Sequence, residues 1–372
     1  MSRRPRLLVL AAIPVALAGI VVALPIDPHA VLVSYLAAVA AVSAIPIGAL
    51  GVLMIGYLVP GRWTEGLHAP LTAAALTMPL AGLLFAPVLI GMPWLYPWAQ
   101  HAASAPGSLQ AVYLTPLFFA ARTVVYFLIW TALTLWVRRS WAHPARMITA
   151  ASAGLILYAS TASFAGIDWL ESLTPEFHSS IYGLLFLTFQ VLAGLAFALA
   201  VALWRPGAPT FSYGAILLSA LLLWAYIQAM QYIIIWSGDI PEEAVWYLRR
   251  EAGGWGVVSW GLVLLQFVGP LFAMLSTQVR NGRKPLLAIA VLTLALRFVE
   301  AVWLALPGTG VQGAILALTL PAALLGTAAL WWLAFGLVFR HVQASAHDTR
   351  LLGDAFDPAG EPRAEGHATL RR

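Results

Sequence analysis

The sequence predicts an all-α integral membrane protein, a polytopic bundle of about ten transmembrane helices. Three observations carry that expectation. Hydrophobic residues make up 61% of the 372 and charged residues only 9%, with a mean hydropathy of +0.86, against roughly 25% charged in a soluble domain. Apolar runs of the length needed to cross a bilayer, about 20 residues, recur along the chain. Basic residues gather in every second connecting segment. Strand-like alternation is lacking, which sets a β-barrel aside.

The runs lie near 7–24, 31–59, 70–92, 112–137, 146–165, 179–204, 211–236, 255–277, 285–305 and 313–340. Segment 1–29 is then a peripheral helix, 30–178 and 179–310 are two four-helix bundles, and 311–341 is a last peripheral helix. Residues 342–372 are polar and too poor in apolar side chains to fold, so a disordered cytoplasmic tail is expected. The first run resembles a signal peptide, with Arg3, Arg4 and Arg6 ahead of an apolar stretch. No small-residue cleavage site stands out after Leu24, and the run is read as a helix.

Orientation follows from the arginines. One side holds Arg3, Arg4, Arg6, Arg62, Arg138, Arg139, Arg146, Arg205, Arg280, Arg283, Lys284 and Arg340, with Arg350, Arg363, Arg371 and Arg372 in the tail. The other side holds Arg249 and Arg250. By the positive-inside rule the rich side is cytoplasmic, which places both termini of this inner-membrane protein in the cytoplasm. The net charge of +5 and pI near 9.7 are therefore topology signals and not a nucleic-acid surface. The outer loops carry Asp27, Asp168, Glu171, Glu176, Asp239, Glu242, Glu243 and Glu251. Such an acidic face suits a basic partner such as a periplasmic cytochrome, or is a solvated rim that topology has emptied of arginine.

Three charged residues sit inside spans: Arg122, Arg297 and Glu300. Each costs roughly 2.5–3.5 kcal/mol to insert unless paired or wet, so a functional role is the default. Arg297 and Glu300 are one helical turn apart and are expected to pair, for function or to pin the bundle register. The seventh span lines up Trp224, Gln228, Gln231 and Tyr232 on one stripe, and Gln190 and Gln266 fall near mid-span in its neighbours. Counted from the loops, Gln228, Gln231, Tyr232, Arg297 and Glu300 lie in the outer half of the membrane. A polar pocket there suits a quinol headgroup or a proton half-channel with Glu300 as the carboxyl. The plainer alternative is a set of interhelical hydrogen bonds worth about 0.6 kcal/mol each. A faint parallel repeat sets Phe164, Asp168 and Trp169 against Phe298, Glu300 and Trp303, as expected of two bundles related by an axis along the membrane normal.

The chain has no Cys, and its eight His all fall in loops, span ends or the tail. No pair of His is placed to ligate a haem inside the bundle, and no metal spacing, phosphate-cradling loop or nucleophile elbow is present. Any redox role must then borrow its cofactors from partner subunits.

Several stretches resemble the larger membrane subunits of bacterial alternative complex III. They are Pro60-Gly61-Arg62-Trp63, Leu95-Tyr96-Pro97-Trp98, Tyr113 to Phe119 with Arg122, Ile167-Asp168-Trp169 through Pro175, and Ser180 to Gly183. Others are Gln231-Tyr232 to Gly238, Pro241-Glu242-Glu243 with Trp246-Tyr247, Gly253-Gly254-Trp255, and Arg297 to Glu300 with Trp303-Leu304 and Pro307. The likeness runs from about residue 25 to 310, is most specific over Trp236–Trp255, and points to the second ten-helix subunit, distantly akin to the polysulfide-reductase membrane subunit. The chain departs from that pattern at Thr115-Pro116-Leu117, where Asn-Pro-Pro is usual, and at Ile55-Gly56-Tyr57, where histidines are usual.

The resemblance implies a complex that oxidises menaquinol or ubiquinol and passes electrons to cytochrome c or an oxidase. An iron–sulfur protein, a multihaem cytochrome c and a second membrane subunit are the implied partners. This subunit would hold no metal, frame the membrane sector, and provide quinone contact or a proton route through Arg122, Asp168, Gln228, Gln231, Tyr232, Arg297 and Glu300. Docking would fall to Glu171, Asp239, Glu242, Glu243, Trp246 and Tyr247. Two other readings are a proton-coupled transporter, which requires helices broken at the midplane in both halves, and a scaffold, for which Glu300→Gln leaves all activity intact.

Overall fold

The computed structural model describes residues 3–100, 112–141, 143–205, 210 and 212–355. The end of the expected tail, with Arg363, Arg371 and Arg372, lies outside the described residues, as do His101 and His367 and the side chains of Arg3, Arg4, Arg6 and Arg62.

Every described element is helical. In order these are α1 (Arg3–Ala23), α2 (Pro28–Leu58), α3 (Arg62–Ala75), α4 (Met78–Leu84), α5 (Ala86–Ile90), α6 (Met92–Leu95) and α7 (Pro97–Gln100). Then come α8 (Pro116–Ser140), α9 (Pro144–Trp169), α10 (Tyr182–Leu203), α11 (Tyr213–Gly238) and α12 (Pro241–Glu251). Span α13 (Trp255–Leu275) carries a π-helical stretch over Val263–Val268, and α14 (Thr277–Asn281), α15 (Arg283–Ala305) and α16 (Gly313–Ala355) close the order.

Prolines set many of these starts, because a fixed φ suits the first turn and the missing N–H would be unpaired there anyway. α2, α8, α9 and α12 all open on proline, and at α2 the Asp27 carboxylate also accepts the Ala30 N–H at 2.9 Å. Among the described residues eight helices are long and apolar enough to cross a bilayer, or nine if one bent pair is a single span. The chain is thus a multi-pass α-helical membrane protein. α1 adds a shorter apolar stretch, Ala11–Ala23.

Three elements differ from the sequence reading. The expected third span is a pair, Gly66–Ala75 and Met78–Ile90, bent by 40°. Pro79, Pro87, Pro93 and Pro97 each remove a backbone donor and break the helix into short pieces. The loop expected after the seventh span contains α12, whose acidic first turn (Glu242, Glu243) and basic last turn (Arg249, Arg250) both complement the helix dipole. The last helix runs on to Ala355, well into the segment expected to be disordered, since no Gly or Pro interrupts residues 342–352.

The helix ends sort into two groups. His29 meets the Trp94 carbonyl, the Tyr96 hydroxyl the Trp169 carbonyl, Phe177 stacks on Trp246, and Arg250 binds the end of α15. At the opposite end Arg283 donates to the Leu203 carbonyl, Arg205 lies over Phe339, and Tyr57 packs on Trp141. The acidic loops thus share one end of the bundle and the arginine-rich turns the other. At the centre α2 and α10 touch through small residues. A Cβ on Gly48 would run into the Gln190 carbonyl, and one on Gly194 into the Gly48–Ala49 backbone, the close approach that small residues permit between membrane helices.

Candidate functional site

Two buried charge clusters lie near the acidic end, one in each half of the chain. In the first, Arg122 on α8 makes a two-pronged bond to Asp168 at the end of α9, Nε to Oδ2 at 3.0 Å and a terminal nitrogen to Oδ1 at 2.8 Å. Tyr126 donates to the same carboxylate at 2.8 Å, and Arg122 also donates to the Tyr113 carbonyl at 2.9 Å. The guanidinium lies 3.7 Å over the Tyr113 ring and 4.4 Å from the Phe118 ring centre. Burial and the nearby Asp168 push the Tyr113 phenol up to about 12. Asp168 is fully buried and well supplied with donors, which makes this cluster a structural clasp between α8 and α9.

The second cluster is built on α15 and α11. Glu300 pairs with Arg297 one turn earlier, as their spacing predicts. Trp224 and Gln228, also one turn apart, both donate to Glu300 Oε1, at 2.9 and 2.7 Å. Arg297 lies 4.8 Å from the Trp224 ring centre and 5.6 Å from that of Phe189, close enough for cation–π attraction. Both charges are fully buried. The remaining Arg297 N–H groups, both amide atoms of Gln190 and Gln266, and the Thr293 hydroxyl are buried with no hydrogen-bond partner among the described residues. Groups of this kind need water or a ligand to be satisfied.

Beside this cluster opens a cavity of about 460 Å³ between α11, α12 and α13. Trp224, Gln228, Tyr232, Tyr247, Trp260 and Trp303 contribute its aromatic and polar walls. Tyr232 packs edge-on to Tyr247 at 5.1 Å, and Gln231 lies buried next to the Tyr247 hydroxyl. Burial raises the Tyr247 phenol, which therefore remains a donor.

α12 roofs the cavity, and Arg250 fixes it there. Its guanidinium donates to the carbonyls of Trp303 (3.1 Å), Leu304 (2.7 Å) and Trp246 (2.9 Å) and lies 3.3 Å over the Trp246 ring. The first two carbonyls belong to the last turn of α15, where the helix dipole favours a cation. Burial pulls Arg250 down to about 9, which leaves it protonated at neutral pH. Ser259 links α13 to the same group, donating to the Arg250 carbonyl and accepting the Trp303 indole N–H at 2.8 Å.

The sequence reading placed Arg122 and Asp168 on one route with the seventh-span stripe. Among the described residues no hydrogen bond or ion pair joins the Arg122–Asp168 clasp to the Glu300 cluster. The expected docking set also divides. Asp239 and Glu242 are exposed and Glu243 is half-buried. Glu171 turns inward and accepts the Ser179 N–H at 2.6 Å, while Trp246 and Tyr247 are buried under the roof. The amphipathic α12 turns its aromatic face in and its acidic face out, a division that placing these residues in a loop could not reveal. Arg250 was missed as a site residue, although its position on the arginine-poor side was the available signal. At the other end of the bundle, Tyr57 hydrogen-bonds His68 at 2.9 Å, and the His68 ring packs 3.6 Å from Trp141. A histidine from α3 thus reaches the end of α2, where the second span lacks one of its own.

No protein-family model matches the chain, and no curated protein is significantly similar to it.

Proposed function

We propose that this chain is a cofactor-free membrane subunit of a quinol-oxidising respiratory complex of the alternative complex III type. It crosses the bacterial inner membrane ten times, α1 and the bent α3–α5 segment included, with both termini in the cytoplasm. The observation that carries this reading is the cavity beside Glu300. A quinol presents a flat ring with a hydroxyl at either end and an apolar tail. The aromatic walls fit the ring, and Gln228, Tyr232 and Tyr247 supply polar atoms for the hydroxyls. When oxidised, a bound menaquinol or ubiquinol supplies two electrons and two protons.

The chain's own residues bind and orient. Glu300 anchors the amide of Gln228, a cavity-lining side chain, and Arg297 balances the Glu300 charge. α12, clamped by Arg250, shields the cavity from water on the acidic side. Electrons leave through an iron–sulfur protein and a multihaem cytochrome c beside a second membrane subunit, with the exposed Asp239 and Glu242 on the docking side.

The test is affinity purification of the tagged chain from native membranes in mild detergent, with mass spectrometry, haem staining and a quinol:cytochrome c assay. Co-purifying haem and iron–sulfur subunits with quinol oxidation is the expected result. A lone, colourless polypeptide would overturn it in favour of a transporter or scaffold.

A further inference from the structure

α1 leans almost wholly on α16. Gly19 faces Ala322, and Gly326 faces Ala16, so small residues bring these two helices close. Between α1, α2, the α5–α6 turn and α16 this leaves a cavity of about 590 Å³ that shares no lining residue with the cavity beside Glu300. It runs along α1 from Ile13 to Leu24 and ends at Pro28 and Trp94, on the acidic side of the bundle. At 1.5 Å per residue that path is about 16 Å long, which matches one leaflet of a hydrocarbon core about 30 Å thick.

The lining is almost entirely apolar, and its hydroxyls are already in use. Tyr35 donates to the Leu84 carbonyl and Thr327 to the Ala323 carbonyl, both at 2.7 Å. Nothing deep in the groove is left to recognise a polar group or to hold water, which needs two or more polar partners. Spread over the length of that path, the volume gives a cross-section of roughly 37 Å², wide enough for a hydrocarbon chain. A transmembrane helix of that length, about 10 Å across, would fill roughly twice the space. At the open end Trp94 stands half exposed and His29 binds its carbonyl, side chains suited to the headgroup level.

We propose that this groove seats one acyl chain of a phospholipid from the leaflet on the acidic side, as a resident part of the fold between α1 and the bundle. This inference needs only the membrane location and not the quinol reading. It is tested by native mass spectrometry of the full chain purified in mild detergent, with stepwise collisional removal of adducts, then repeated after reconstitution into vesicles of phosphatidylethanolamine and phosphatidylglycerol. Wild type is expected to keep one adduct of phospholipid mass after all others have gone. Ala323→Phe fills the groove and Ile90→Trp, at an exposed rim position, blocks its entry. Each should lower that occupancy about tenfold, with tryptophan-fluorescence melting confirming that the variants are folded. Equal retention in both folded variants, no retained adduct, or an adduct with the mass of an isoprenoid quinone would each overturn the proposal.

Discussion

Gln228 donates to Glu300 Oε1 at 2.7 Å while its own side chain lines the neighbouring cavity. A fully buried carboxylate is thereby connected to the wall of a site large enough for a ligand ring, through one amide. Any change at Glu300 is felt at the cavity, and Gln228 is where the two can be separated.

Glu300→Gln keeps the shape of the side chain but leaves Arg297 as a buried cation without its partner. The expected cost is about 3–5 kcal/mol of stability, read as a lower melting temperature by tryptophan fluorescence. Adding Arg297→Gln should recover most of it. Gln228→Leu, by contrast, should leave melting within about 2 kcal/mol of wild type and lower quinol oxidation by the purified complex. An unchanged melting temperature in Glu300→Gln would remove the ion pair from the account of stability.

The Arg122–Asp168 clasp predicts sensitivity to a substitution that keeps charge. Lysine cannot make the two-pronged bond, so Arg122→Lys should destabilise the chain by about 1.5–3 kcal/mol. The Tyr113 phenol adds a pH signature. Its pKa rises from 10 when unfolded to about 12 when folded, so the folded state holds the proton more tightly. That contribution is fully present below pH 10 and is lost as pH rises towards about 12. Tyr113→Phe should flatten this part of the alkaline limb of a melting-versus-pH curve while leaving the neutral region unchanged.

Arg250 pins the roof, and its loss should be local. In Arg250→Gln, α12 is expected to loosen from the end of α15, and trypsin should cut after the neighbouring, exposed Arg249 about tenfold faster in detergent. Melting of the remaining bundle should change little. Unaltered cleavage would show that Ser259 and the aromatic packing hold α12 without it.

The chain has no cysteine, so single cysteines can be introduced without background. A cysteine in place of Asp239 should react with an impermeant maleimide in cells whose outer membrane alone is opened. One replacing Arg139 should react only after the inner membrane is breached. The reverse pattern would invert the topology.

Much of this was readable from residue order. Apolar runs marked most spans, the alternation of arginines matched the two ends of the bundle, and a one-turn separation marked Arg297 and Glu300 as a pair. The stripe Trp224, Gln228, Gln231 and Tyr232 lies on α11, the helix that supplies two donors to Glu300. What escaped the reading depends on contacts between distant segments. Asp168 finds Arg122 because α9 folds back along α8, and no local pattern encodes that partnership. The bend near Thr77 was foreshadowed by prolines, but Thr77 also accepts the Trp331 indole N–H at 2.8 Å from the far end of the chain. α12 reads as a charged loop until its aromatic face has a core to enter.

The α2–α10 contact has a consequence for assembly in time. Gly48 and Gly194 meet in the folded bundle, yet roughly 150 residues of synthesis separate them, about 8 to 30 s at ribosomal speeds. Throughout that interval α2 stands in the bilayer with a small-residue face whose partner has not been made. A nascent chain halted before α10 would expose that face to lipid, to an insertase or to another half-made copy. Completion of α10 is thus the step at which the centre of the bundle can first close.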